Sequence, residues 1–499
     1  MRRNATACEE ELEPVDKLEI LRHGLGQTDS PKEVLILGAG MAGLMAGKLL
    51  KEAGHEVTII EGNTRVGGRV HTLREPFTGD RYVDVGAMRI PTNHLLTLTL
   101  IRQMGVETRP FINAMDNNIM KIYNQMTTRG EYDENPDIFP FPVAPHEEGK
   151  TAKELLESVV NPFLERYLQS SEEERKQMIR DFDEYSLYRF LTENPIGPSL
   201  SPGALHKVQV VFGFDGTTGL SFLDFFFNLI NQIFIYEGDF VEITGGNDHL
   251  PKSFLPLLEE DIYLDQRVER IVQRPDGVEV ETRSPITGEF SQFSGDVVIT
   301  TIPFSIFQFV EMEPYESVSY EKRKAIQTLH YVPAFKMMLE FSRPFWVDDG
   351  IMGGSSVLDT PPVYMFYPSH LDNQESPAVI QATYTWGDHA RYWEALSEEE
   401  QIRAALKVAA SLHGDHIWDE YIGGAGYSWD ANPFAGGCFA MYIPGQAATY
   451  PSIIQAPEGR IHFAGEHTSM FHAWIEGAVD SGIRTAWEIQ CLAEKGEGS

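Results

Sequence analysis

Cysteine is scarce: the 499 residues contain three, Cys8, Cys438 and Cys491. Their number and scatter exclude a disulfide framework and a four-ligand zinc site, and leave the redox compartment open. Basic residues are also few. Lys and Arg total 40 against 74 Asp and Glu, a formal charge of -34, and such a chain repels phosphate backbones and anionic lipid headgroups, which argues against nucleic acid as a partner. Also lacking is an uninterrupted apolar run of membrane-spanning length. The longest stretch, Leu220 to Tyr236, carries Asp224, Asn228 and Asn231, and reads as an amphipathic, largely buried helix. The first thirty residues are charged and have no apolar signal core, so the expectation is a cytoplasmic protein without a membrane partner. What is present is a globular composition, 42% hydrophobic and 11% aromatic, in a chain long enough for about two or three domains.

After a polar lead over 1–30, VLILG from Val34 reads as a short buried strand, MAGLMAGKLLKEAG as a helix closed by Gly54, and EVTIIEG as a second strand. Such a unit implies a parallel sheet with a right-handed crossover. From about Thr151 to Ile230 helices dominate, with capping boxes at Thr151 to Glu154 and Ser171 to Glu174. Strand signals return in RVERIVQ and GVEVETR, joined around Pro275, Asp276 and Gly277, then in DVVITTIP and AFKMMLEF. Ser397 before Glu398 to Glu400 marks another helix start, and RIHFAGE precedes a final helix, WIEGAVDSGIRTAWEIQCLAE. The expected fold class is α/β with mixed α+β character. A Rossmann-like nucleotide-binding domain is expected from 31–72, 240–330 and 455–499, a mixed-sheet substrate domain from 73–115 and 331–454, and a helical insertion over 116–239.

Gly38, Gly40 and Gly43 form G-x-G-x-x-G between the first strand and its helix, where glycine lets the backbone approach a pyrophosphate at the helix N-terminus. Glu61, at the end of the next strand, can accept hydrogen bonds from ribose hydroxyls and would repel the extra phosphate of NADP. Just beyond it, Arg65, Gly67, Gly68 and Arg69 make a second glycine-rich turn that a nicotinamide enzyme does not need. The pattern resembles the flavin amine oxidase family, which has the glutathione-reductase-like, amine oxidase FAD fold and includes monoamine, polyamine and L-amino acid oxidases. RIHFAGEHT and HAWIEGAVDSGIRTA are similar to that family's C-terminal FAD motif, and the resemblance runs from Val34 to Ala486, weakest in the helical insertion. It implies FAD as cofactor, held by Gly38, Gly40, Met41, Ala42, Gly43, Glu61, Arg65, Gly68, Arg69, Gly86, Ala87, Met88 and Arg89. It further implies Val268 at the adenine, Gly465 and Glu466 at the ribitol chain, and Trp474 and Ile475 facing the isoalloxazine.

Substrate class turns on GAMRIP. A guanidinium at Arg89 can grip a carboxylate bidentately, and in the L-amino acid oxidases that this sequence resembles the motif's arginine does so. An arginine neutralising FAD phosphate or a structural acid is the alternative. Lys336, by alternation alone, reads as a solvent-facing strand lysine; the resemblance instead implies a catalytic lysine, linked through water to the flavin and assisting reaction with oxygen. Trp474, Tyr367 and Phe366 are implied as aromatic substrate contacts, and Ala473 as a carbonyl for the substrate ammonium. Cys438 resembles the monoamine-oxidase cysteine that bonds flavin, but the expected cofactor link is non-covalent. His467 and His472 lack helical zinc spacing, so no metal is expected. The implied activity is oxidation of hydrophobic or aromatic L-amino acids by oxygen, giving 2-oxo acids, ammonia and peroxide, by a homodimer. Rivals are a decarboxylating amino-acid 2-monooxygenase, a monoamine or polyamine oxidase, and a flavin-inert escort protein of the same fold.

Overall fold

Five short strands from four distant parts of the chain pair in parallel, in the order Ile262–Tyr263, Glu56–Ile60, Glu33–Leu37, Val297–Thr300, Ile461–Phe463. This computed structural model describes residues 12–495 other than 362, 372 and 374. The central strand is apolar from Val34 to Leu37 and fully buried, as a parallel strand covered on both faces must be. The helix Met41–Glu52 and the long helix Ile475–Lys495 share its core, with Ile36, Leu44, Ile299 and Ile483 in one cluster. Beside the parallel sheet lies a four-stranded one, Phe290–Gly295, Val278–Arg283, Arg267–Gln273, Glu311–Glu313, whose hairpin turns at the expected Pro275 to Gly277.

A seven-stranded mixed sheet forms the second layer: Tyr421–Ser428, Ala334–Phe341, Ala378–Trp386, Tyr364–Phe366, Ser355–Leu358, Ile119–Ile122, Gln125–Thr128. The fold is thus the mixed α/β architecture expected. Its last two strands fall within 116–239, the stretch read as helical. They are joined by a two-residue turn with Tyr123 and Asn124 at φ 52° and 59°. Both residues are left-handed, the geometry of a type I′ hairpin, but Tyr-Asn lacks the glycine that usually announces one. Helices follow, capped by Thr151 and Ser171 in the expected boxes, and Ser397 caps Glu398–His413 in the same way. The run from Leu220 is helical and largely buried, as α-helix over Phe222–Phe225 and in the wider π form over Phe226–Phe234. Among the described residues, no helix is long and apolar enough to cross a membrane.

The strand Ala334–Phe341 corrects the solvent-facing reading of Lys336. All eight of its residues are buried. Phe335, Met337, Leu339 and Phe341 pack into the core around Trp346. The opposite face is covered by the segment around residues 78–88, which gives Lys336 the carbonyls of Asp84 and Gly86, and Glu340 the Thr78 amide. Alternation still sorts the side chains, but both faces are dry.

Candidate active site

A cavity of about 470 Å³ opens along the C-terminal edge of the parallel sheet and runs toward the seven-stranded one. Gly38, Gly40, Met41 and Ala42 line its first end. The three motif glycines serve different needs. A Cβ on Gly38, at φ 110°, would lie 2.3 Å from Thr301 Oγ1, and one on Gly43 would lie 2.0 Å from the Gly38 carbonyl oxygen. Gly43 therefore works as the close contact of helix on strand and does not itself line the cavity. A Cβ on Gly40 would meet nothing within 4 Å, because that side of Gly40 is the cavity.

Glu61 is buried and takes the Ala39 amide at 2.7 Å and the Asn63 amide at 2.8 Å; burial raises its pKa despite these donors. Val268 lines the same end, with Arg65, whose guanidinium donates to the Gly68 carbonyl at 3.0 Å. Gly68, Arg69, Gly86, Ala87 and Met88 continue the wall to Gly465, Glu466, Trp474 and Ile475. Arg69 donates to Glu466 at 2.6 Å and to the Cys438 carbonyl at 3.2 Å. Burial pushes the Glu466 carboxyl up, but Arg69, with His472 and His467, holds it below the usual range. A helix N-terminus, two arginines and a buried acid at the strand end suit a dinucleotide with a pyrophosphate between ribose and ring system. The vacant side of Gly40 is the space that such a phosphate chain needs. The residues present therefore fit FAD.

At the far end the lining turns apolar: Leu229, Ile233, Tyr384, Trp386, Phe439 and Trp474. Arg89 is half-buried here, bonded to the side-chain oxygen of Asn113, with the rings of Phe240 and Phe366 5.6 and 5.7 Å from its guanidinium carbon. Burial lowers its pKa, and no carboxylate among the described residues lies within ion-pair distance of it. Trp474 is fixed by its indole N–H on the Asn228 carbonyl at 2.8 Å, and Ala473 beside it has φ 70°, a strained value for a residue with a Cβ.

Lys336 lies one layer behind this wall. Its ammonium donates to the carbonyls of Asp84 at 2.9 Å and Gly86 at 3.0 Å, and stands 4.5 Å over the face of Tyr384, its cross-strand neighbour. Burial lowers its pKa to about 8, against the pull of Cys438 and Asp84. Cys438 is among the residues lining the cavity, and burial pushes the pKa of its thiol up to about 12.

Two aromatic expectations separate. Phe366 reaches Arg89, whereas Tyr367 is turned away: its hydroxyl meets Ser356 and His413, both at 2.8 Å, and its ring packs on Trp346. Adjacent residues of an extended strand point to opposite faces, so only one of the pair can face Arg89, and neither is part of the cavity lining. Tyr384 and Trp386, two apart on AVIQATYTW, and Leu229 and Ile233, four apart on the π-helix, reach the cavity without having been singled out. Their spacing was the available signal. His472 bonds Asp224 at 2.9 Å, and no group of three or more potential metal ligands occurs among the described residues.

Residues 41–490 match the model of a family described as flavin containing amine oxidoreductase. The YobN protein of Bacillus subtilis (strain 168) is 40% identical over 477 residues, 96% of this chain and 98% of that protein. The L-amino-acid oxidase of Siganus canaliculatus is 34% identical, covering 99% of this chain and 92% of its own. A solved structure of wild-type putrescine oxidase bound to putrescine superposes with a TM-score of 0.69 at 20% identity, over 92% of this chain and 99% of that one, a likeness of fold. The chain belongs to the flavin containing amine oxidoreductase family, and it is an FAD-dependent oxidoreductase.

Proposed function

We propose that this protein is an L-amino acid oxidase, converting L-amino acids with large apolar or aromatic side chains to 2-oxo acids with release of ammonia and hydrogen peroxide. The observation that carries this reading is Arg89: a half-buried guanidinium beside an apolar cavity, held by an amide and two rings, with no carboxylate partner among the described residues. A desolvated cation without a counter-ion favours an anionic ligand, and its planar fork matches a carboxylate. That the Siganus relative is named an L-amino-acid oxidase supports the same reading.

In this reading Arg89 fixes the substrate carboxylate and Ala473 offers its carbonyl to the α-amine. The positive charge of Arg89 and the dry lining both disfavour an ammonium, so the amine is held in its neutral, reactive form. Trp474, Leu229, Ile233 and Phe439 surround the side chain and exclude water. FAD, when bound along this cradle, would supply a two-electron acceptor for the α-carbon's hydride, with oxygen as the final oxidant. The imino acid that leaves takes up water and splits into 2-oxo acid and ammonia. Lys336 contributes a positive charge behind the Gly86 backbone and favours reduction of oxygen. Cys438, protonated up to about pH 12, is a poor nucleophile, which supports a non-covalent cofactor.

The test is a panel of L- and D-amino acids and simple amines, read by peroxide release with product identification. Keto acid and peroxide from L-isomers are expected. An amide with carbon dioxide would make the enzyme a monooxygenase instead, and turnover of simple amines that survives Arg89→Ala would make it an amine oxidase. A purified protein without flavin absorbance would point to a binding role.

A further inference from the structure

Arg89 is not held in the way buried arginines usually are. Its Nη1 donates to Asn113, on the loop after the strand Thr108–Phe111. That strand pairs with Phe240–Ile243, which supplies Phe240 to one side of the guanidinium, while Phe366 comes from the seven-stranded sheet. A guanidinium has only donors, so the amide must turn its oxygen toward Arg89 and keep its NH2 group as a further donor. The cation is thereby aimed without being neutralised.

We propose that Asn113 is the residue that keeps Arg89 available for a carboxylate, and so decides between amino acids and plain amines as substrates. The inference rests on Arg89 being the carboxylate anchor. An aspartate at 113 would be the same size and would accept the same hydrogen bond, but it would form an internal ion pair in a partly desolvated site. A substrate carboxylate would then meet a neutralised cation and a second negative charge. Asparagine supplies direction through a dipole and leaves the full charge for the ligand. Asn113 acts through Arg89 and is a positioning residue.

The experiment compares holoenzyme of the wild type, Asn113→Asp, Asn113→Ala and Arg89→Ala. Benzoate binding is titrated by the change in visible flavin absorbance. Steady-state kinetics are measured with L-phenylalanine and with phenylethylamine, which keeps the side chain and amine but lacks the carboxylate. For Asn113→Asp we expect benzoate affinity to fall about 30-fold and KM for L-phenylalanine to rise alike, with kcat changed less than about 3-fold. Phenylethylamine, which has no carboxylate for Arg89 to hold, should show a much smaller rise in KM than L-phenylalanine does. Asn113→Ala, which removes the tether without adding charge, should weaken benzoate by about 5-fold. Flavin content and the thermal midpoint check folding, and if Asn113→Asp does not hold FAD the alanine variant carries the test. Wild-type benzoate binding in either Asn113 variant, while Arg89→Ala loses it, overturns the role of Asn113 and keeps that of Arg89. Wild-type binding in Arg89→Ala overturns the anchor itself.

Discussion

Burial acts differently on the two cations at the apolar end of the cavity. Burial lowers the pKa of Arg89, but a guanidinium in a protein stays protonated, so its charge is not a pH switch. Its value lies in shape, so Arg89→Lys should keep a positive charge and still lose about 10- to 100-fold in kcat/KM for an amino acid, through loss of the bidentate fork. Lys336 is brought down to about 8, so its charge is present below that pH and lost above it. If the ammonium assists oxygen, the rate at which reduced enzyme reacts with oxygen should fall as pH rises through about 8, and in Lys336→Met be slow at every pH; stopped-flow reoxidation reads this directly. Arg89 stood out in the sequence because GAMRIP is a local motif. That Phe366 and not Tyr367 faces Arg89 was not legible, since a shift of one residue along a strand exchanges its faces.

At the scale of elements, the glycine-rich turn and the π-helix were legible to different degrees. The turn's three glycines sit in one short segment, and the contacts that demand them separate their roles. Gly40 has φ -76°, ordinary for any residue, and an open Cβ side, so Gly40→Val should fold normally yet purify without flavin colour. Gly43→Val would drive a side chain into the Gly38 carbonyl oxygen at 2.0 Å, and should lower the thermal midpoint or abolish soluble expression. Absorbance and melting curves distinguish the two. The run from Leu220 was readable as a buried helix, but its wider pitch over Phe226–Phe234 was not, because apolar periodicity does not separate π from α geometry over nine residues. That pitch sets which side chains reach the cavity, Leu229 and Ile233, and it brings the Asn228 carbonyl to Trp474.

Over the whole molecule, buried charge makes stability depend on pH. Lys322, on the helix Tyr320–Thr328, is fully buried against the segment before Ile461–Phe463 and bonded to the carbonyls of Ile454 at 2.7 Å and Ala456 at 2.6 Å. Burial lowers its pKa from 10.5 to about 7. Between these values the unfolded chain holds a proton that the folded one does not, so this group makes stability rise with pH from about 7 to about 10. The thermal midpoint of Lys322→Met should therefore vary less over that window than that of the wild type. The two glycine-rich turns at one end of the cofactor cradle and the cation at Arg89 were legible in the sequence alone, since each lies within one short segment; the meeting of Arg69 with Glu466, 397 positions away, was not. The apposition of Lys336 with Asp84 and Gly86, about 250 positions away, and the aim of Asn113 at Arg89 were decided only by tertiary structure. Which side chains meet there depends on strand register and on how the sheets and the π-helix pack, and neither is encoded within any one segment.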